Sequence, residues 1–345
     1  MRLKPSLTLV LSALLLAACG SGDDDSSSNA SSTGGGAEPR AFPVTIEHKY
    51  GSTTIEAEPE RVVVAGLREQ DALLALGAVP VATTEWYSEH PGAIFPWAKD
   101  ELGDGPLPTV LSQTDGLEVE KIAAQRPDLI VAIYSGITKK EYAKLSKLAP
   151  VVAQPRGEVD YGSSWQEETL IVGKAVGKAK QAQRLVDKTE KLIADAAAEH
   201  PEFKGQTAAN VSDYQGIWVY GPQDVRSRML EQLGFTYPEE LRGAFPKEFG
   251  GQLSDEKVDA LDVGALLWFA DGDRTVKELK SEPVYSKLTV RKEGRDVFIR
   301  GKDRVYEATS FPSVLSMPTL LAELVPRLAA AADGDPKTST DQQPS

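Results

Sequence analysis

The chain has 345 residues but one cysteine, three histidines and three methionines. A single thiol excludes a disulfide framework, so stability has to come from packed cores. With only His48, His90 and His200, there is little from which to build a histidine-rich zinc or manganese centre. The usual nucleophile and nucleotide devices are also missing: no G-x-S-x-G elbow, no G-x-x-x-x-G-K-[ST] loop and no G-x-G-x-x-G turn occurs. Positive charge is short as well, with 38 Lys and Arg against 51 Asp and Glu, and no basic patch stands out, which makes nucleic acid a poor partner. Most of those acids belong to solvated faces, although their number leaves room for a catalytic carboxylate pair. The longest apolar run, residues 7–16, falls short of the ~20 residues that span a bilayer.

That run has a purpose nonetheless. Arg2 and Lys4 precede it and Ala17-Ala18 follow it, the layout of an export signal. Leu16-Ala17-Ala18-Cys19 resembles the bacterial lipobox, which implies cleavage before Cys19 and a diacylated, palmitate-bearing cysteine as the new N-terminus. Several acyl chains make a durable anchor where one does not. Residues 1–18 are thus expected to be a lipoprotein signal peptide. Residues 19–41, rich in Ser, Gly and Asp, read as a flexible linker reaching ~25 Å.

Beyond the linker, about 290 residues suffice for two lobes with separate cores. VTIEHKYGSTTIEAE alternates, turns and alternates again, as a β-hairpin does. RVVVAG is a β-branched run suited to a strand buried on both faces; a helical stretch to Gly77 and the strand VPVATT follow, an α/β rhythm. It recurs in VEKIAAQRPDLIVAIYSG and completes an N-terminal α/β lobe over 42–177. Residues 178–200 keep apolar positions near a 3.6-residue period, a helix ~30 Å long that can bridge two lobes. A second α/β lobe over 201–332 and a polar, disordered tail over 333–345 complete the division. EKIAAQRPDLIVAIY from Glu120 and EKVDALDVGALLWFA from Glu256 align without gaps, one in each lobe, as an internal pseudo-repeat.

Aromatics collect where strands end. Trp86 and Tyr87 follow VATTE, Tyr134 ends DLIVAIY, Trp165 sits in YGSSWQ, and Trp218 and Tyr220 lead into GPQDVRSR with its Arg226 and Arg228. The crevice beyond the carboxyl ends of strands is where open α/β sheets bind ligands. Together these residues suit a bulky amphipathic ligand carrying oxygen acceptors, held by ring walls and planar guanidinium donors. Trp268, inside LLWF, reads as core.

EPERVVVAG, DALLALGAVPVA, VEKIAAQRPDLIVAIYSGIT, YGSSWQEETLIVG, YGPQDVRSR and SFPSVLSMP, in that order, resemble bacterial ferric-siderophore binding lipoproteins, members of the iron and cobalamin substrate-binding family of ABC importers. The resemblance implies a two-lobed periplasmic-binding-protein-like α/β fold joined by one spanning helix. It also implies a ligand site between the lobes, to which Phe311 of SFPSVLSMP is added, and permease docking through Glu120 and Glu256. Those two glutamates also suit helix starts, where acids meet the positive end of the dipole. A ferric siderophore saturates iron with its own oxygens, so no protein metal ligand and no cofactor is expected. Hydroxamate or mixed chelators suit the sparse cations better than catecholates do. The expectation is a monomeric, non-catalytic carrier tethered to the outer face of the cell membrane. Haem or cobalamin in the same fold, and a lipid-anchored α/β enzyme, remain the alternatives.

Overall fold

A computed structural model of the chain describes residues 36–85, 90–114, 116–245, 249–338 and 340. The expected signal peptide, Cys19, Trp86 and Tyr87 lie outside them. Alternation and a glycine turn give the opening hairpin: β1 (Val44–His48) pairs with β2 (Gly51–Ile55), and Gly51 takes φ 133°, a left-handed value that favours glycine. The hairpin is clipped to the first lobe by the Lys49 amide donating to the Gln154 carbonyl (2.8 Å) and by Thr53 Oγ1 donating to the Val151 carbonyl (2.6 Å).

Continuous apolar runs form strands covered on both faces. β3 (Val62–Val64), β4 (Ala82–Glu85), β5 (Thr109–Ser112), β6 (Leu129–Ala132) and β7 (Val151–Ala153) make one parallel sheet in the order β5-β4-β3-β6-β7. Because successive side chains point to opposite faces, Val62, Val64, Leu129 and Val131 enter one core while Val63, Ile130 and Ala132 enter another. The second sheet repeats the arrangement with β8 (Ala208–Asp213), β9 (Ile217–Tyr220), β10 (Gly250–Gln252), β11 (Ala265–Ala270) and β12 (Asp296–Arg300), ordered β10-β9-β8-β11-β12. Here β8, β11 and β12 are parallel, while β9 and β10 run antiparallel on one edge. Ala265, Leu267 and Phe269 face one core; Leu266, Trp268 and Ala270 face the other. Trp268 is fully buried and donates to Tyr285 Oη at 2.9 Å.

The pseudo-repeat has a structural counterpart. The helix Val119–Ala124 leads into β6 and the 3-10 helix Asp255–Leu261 leads into β11, and each of those strands is fourth in its sheet. Glu120 and Glu256 therefore hold corresponding places on the two lobes, both exposed.

The helix Ala179–Glu199 connects the lobes. Ala182 packs into the core of the first lobe, whereas Val186 and Ile193 pack into that of the second. Its contact with the helix Trp165–Ala175 is close enough that a Cβ on Gly173 would lie 2.2 Å from the Ala182 Cβ. Gly173→Ala is expected to push the two helices apart and cost about 1–3 kcal/mol, as overpacked cores do. Thermal unfolding checks this, and an unchanged midpoint would mean that the joint yields freely.

Candidate functional site

Polar residues at the start of one buried helix build the cleft floor. The helix Glu69–Ala75 begins directly after the end of β3, and Arg68, Glu69, Gln70 and Asp71 are all buried there. Arg68 Nε donates to Glu168 Oε2 at 2.7 Å and its Nη2 to the Ser163 carbonyl at 2.6 Å. The guanidinium lies 3.9 Å from the centre of the Tyr134 ring, a cation–π contact. Glu69 accepts from the backbone amides of Ile133 (2.6 Å) and Tyr134 (2.9 Å) at the end of β6. Its carboxylate fills the space beside Gly66, where a Cβ would lie 2.0 Å from Oε1, so only glycine fits.

On this floor stands a cleft of about 500 Å³, open at the carboxyl ends of the parallel strands. Leu67, Tyr134 and Tyr161 enter from the first lobe; Trp218, Tyr220, Arg226, Phe269, Tyr306 and Phe311 are among those entering from the second. The rings form a continuous chain. Tyr134 meets Tyr161 at 5.7 Å, Tyr161 meets Phe249 at 6.3 Å, Phe249 meets Tyr220 at 6.1 Å, and Tyr220 meets Phe269 at 5.8 Å, all edge-on. Such edge-to-face pairs fix ring orientation while leaving π surface for a ligand. Tyr161 holds a left-handed backbone (φ 59°), and its ring passes so close to Gly136 that a Cβ there would come within 3.0 Å.

Arg226 is the cleft's cation among the described residues. Its Nη1 lies 3.0 Å from Asp224 Oδ2, and its guanidinium stacks 4.4 Å over the Tyr220 ring. Asp224 is fully buried and caps the helix Val225–Gln232 by accepting from the Arg226 amide at 2.8 Å. Burial pushes the phenols of Tyr134, Tyr161 and Tyr306 up, so they stay neutral in the physiological range.

Of the sequence-predicted ligand residues, Tyr134, Trp218, Tyr220, Arg226 and Phe311 line the cleft. Trp165 does not: it is the first residue of a helix capped by Ser164 and is buried with Val186 and Met229 at the joint between lobes. Arg228 does not either, since its Nη1 donates across the lobes to the Gly162 carbonyl at 2.8 Å and its Nη2 to Gln223 Oε1 at 2.7 Å. Sequence reasoning missed Tyr161, Phe249, Phe269 and Tyr306. For Phe269 a signal existed, because it stands one residue before the carboxyl end of the strand ALLWFA, where the cleft opens. The three histidines sit apart: His48 against Thr53 (2.9 Å), His90 against Glu307 (2.8 Å) and His200 against Glu202 (2.8 Å).

The chain belongs to the periplasmic binding protein family, whose sequence pattern matches residues 62–302. Among solved structures it is similar to a periplasmic solute binding protein of Mycobacterium smegmatis, at 34% identity and a TM-score of 0.74 over 84% of this chain and 98% of that one. It is similar also to PiaA of Streptococcus pneumoniae in complex with ferrichrome, at 27% identity and a TM-score of 0.74 over 85% and 99% of the two chains. A curated relative is the probable siderophore-binding lipoprotein YfiY of Bacillus subtilis, 27% identical over 241 residues, which cover 68% of this chain and 71% of that protein.

One seam residue gives the lobes a pH dependence. Asp71 Oδ2 accepts from Trp97 Nε1 (2.7 Å) and from Ser313 Oγ of the opposite lobe, while its buried Oδ1 has no partner among the described residues. Burial, opposed by those two hydrogen bonds, raises its pKa from 3.8 to about 6. The folded chain holds this proton more tightly than the unfolded one. The contribution is therefore complete below about pH 4 and is lost as pH rises through about 6. At about 1.4 kcal/mol for each tenfold change in proton affinity, it is worth up to roughly 3 kcal/mol. Asp71→Asn is expected to flatten the fall in melting temperature between pH 5 and 7; parallel curves for the two proteins would assign the dependence elsewhere.

Proposed function

We propose that the protein is an extracytoplasmic solute-binding lipoprotein that captures a ferric siderophore of hydroxamate or mixed type between its lobes. It delivers the chelate to an ABC-type iron importer and changes no covalent bond. The observation that carries this reading is the ring-lined cleft at the strand ends, with a single guanidinium among its described lining residues, in a chain of the periplasmic binding protein family. Two of the similar proteins are described as binding ferrichrome or siderophores. Within the cleft the iron keeps its chelator's oxygens. Support comes from burial, which pushes the Tyr161 and Tyr306 phenols up, and from histidines bonded elsewhere, so that the carboxylates near the cleft, Asp213 and Asp271, stand on its exposed rim.

Retention at the outer face falls to the lipid on Cys19, supported by the lipobox-like Leu16-Ala17-Ala18-Cys19; no helix among the described residues is long and apolar enough to cross a membrane. Glu120 and Glu256 meet the permease. What favours this is their exposure, their lack of any ion pair among the described residues and their matching places on the two lobes.

Tryptophan fluorescence during titration with ferric siderophores, haem and cobalamin tests the ligand. Saturable quenching by a ferric siderophore, recovered chemically unchanged, is expected, because Trp218 faces the cleft. Quenching by haem or cobalamin alone, or a modified ligand, would overturn the reading. For docking, Glu120→Ala with Glu256→Ala is expected to leave ligand affinity within about twofold while abolishing uptake by cells, since removing exposed charges rarely alters a distant site. A loss of affinity would place these residues in the binding machinery instead.

A further inference from the structure

We propose that Asp224, which is buried behind the cleft and touches no ligand, is a positioning residue that sets the charge class of the chelate. By neutralising Arg226 in advance, it restricts the cleft to ferric complexes without net negative charge. This rests on the reading of the cleft as a ferric-chelate site and concerns only which chelates it accepts.

Three observations carry it. First, Arg226 reaches the cleft with its charge already met. Nη1 lies 3.0 and 3.3 Å from the two oxygens of Asp224, whose own side chain is fully buried, and the same Asp224 receives the Arg226 backbone amide at 2.8 Å. The carboxylate is thus held by main chain and side chain together and does not swing away when a ligand arrives. The guanidinium, stacked 4.4 Å over the Tyr220 ring and 5.5 Å from that of Phe269, then presents little net field to the cleft. Second, no other described cation balances the site. Arg228 is committed to Gly162 and Gln223, and Arg68 lies beneath Tyr134 with Glu168 at 2.7 Å. Third, the rim adds negative charge: Asp213 and Asp271, both exposed, line the cleft just past the point where Ser212 of β8 pairs with Phe269 of β11. A ferric trihydroxamate is uncharged, because three hydroxamate anions cancel the metal. A ferric tris-catecholate keeps three negative charges and meets like charge at that rim, the usual means of rejecting a wrong partner.

The test measures the affinities of the full chain and of Asp224→Asn for one uncharged ferric trihydroxamate and one trianionic ferric tris-catecholate, by fluorescence, at about 20 and about 500 mM salt. Asparagine keeps the shape of aspartate and caps helices as well, so the variant tests charge with the helix start preserved. The native chain is expected to prefer the trihydroxamate by at least about tenfold. In Asp224→Asn the catecholate is expected to gain about tenfold at low salt, less at high salt, while the trihydroxamate changes by under about threefold. Asp213→Asn with Asp271→Asn, both on the solvated rim, should shift the preference the same way by a smaller factor. A native chain that binds the catecholate as tightly as the trihydroxamate, or an Asp224→Asn variant that weakens both equally, overturns the proposal. No binding of either complex to the native chain overturns the ferric-chelate reading itself, and this inference with it.

Discussion

The structure depends on a guanidinium sealed from water. Arg68 has no exposed surface, and its charge is met by Glu168 at 2.7 Å, by the Ser163 carbonyl at 2.6 Å and by the face of Tyr134. Arg68 and these partners lie on separate segments: the turn after β3, the loop and helix start around residues 163–168, and the turn after β6. Removing one member would strand a buried charge, a loss of about 3–5 kcal/mol. The arrangement orders the segments around one centre and lays the Tyr134 ring flat as the floor on which the cleft stands. Glu69, one residue on, ties the same strand end by its backbone amides and dictates the glycine beneath it.

From that floor the two lobes are joined at several depths. The helix Ala179–Glu199 is threaded through both cores, Asp71 of one lobe accepts from Ser313 of the other, His90 reaches Glu307, and Arg228 reaches Gly162. A rigid rod with polar ties permits small adjustments about a fixed crossing more readily than wide hinge motion. The rings of the cleft brace one another edge to face across both lobes.

Much of this was legible in the sequence, and what was not has physical reasons. Apolar runs announce strands covered on both faces, so β3, β6, β7 and β11 stand where LIVA- and VVV-like segments stand. Short edge strands such as β10, whose sequence is only GGQ, carry no such pattern and depend on the neighbour they pair with. The site was readable at Tyr134, two residues past β6, because the carboxyl end of a parallel strand fixes its place; Tyr220 ends β9, which runs antiparallel to β8, so that rule does not account for its position. Trp165 failed that logic because a residue just after a serine cap turns into helix packing. Arg228 failed it because two residues along a helix is over half a turn, which sends it to the opposite lobe while Arg226 faces the cleft. Tyr161 and Phe249 come from loops whose course only the folded chain defines.

The ring chain along the cleft has a consequence for how its wall answers strain. Tyr134, Tyr161, Phe249, Tyr220 and Phe269 each rest edge-on against the next, so tilting one ring obliges its neighbour to move. The wall, contributed by both lobes, behaves as one surface, and a substitution at any of its rings is felt along its length.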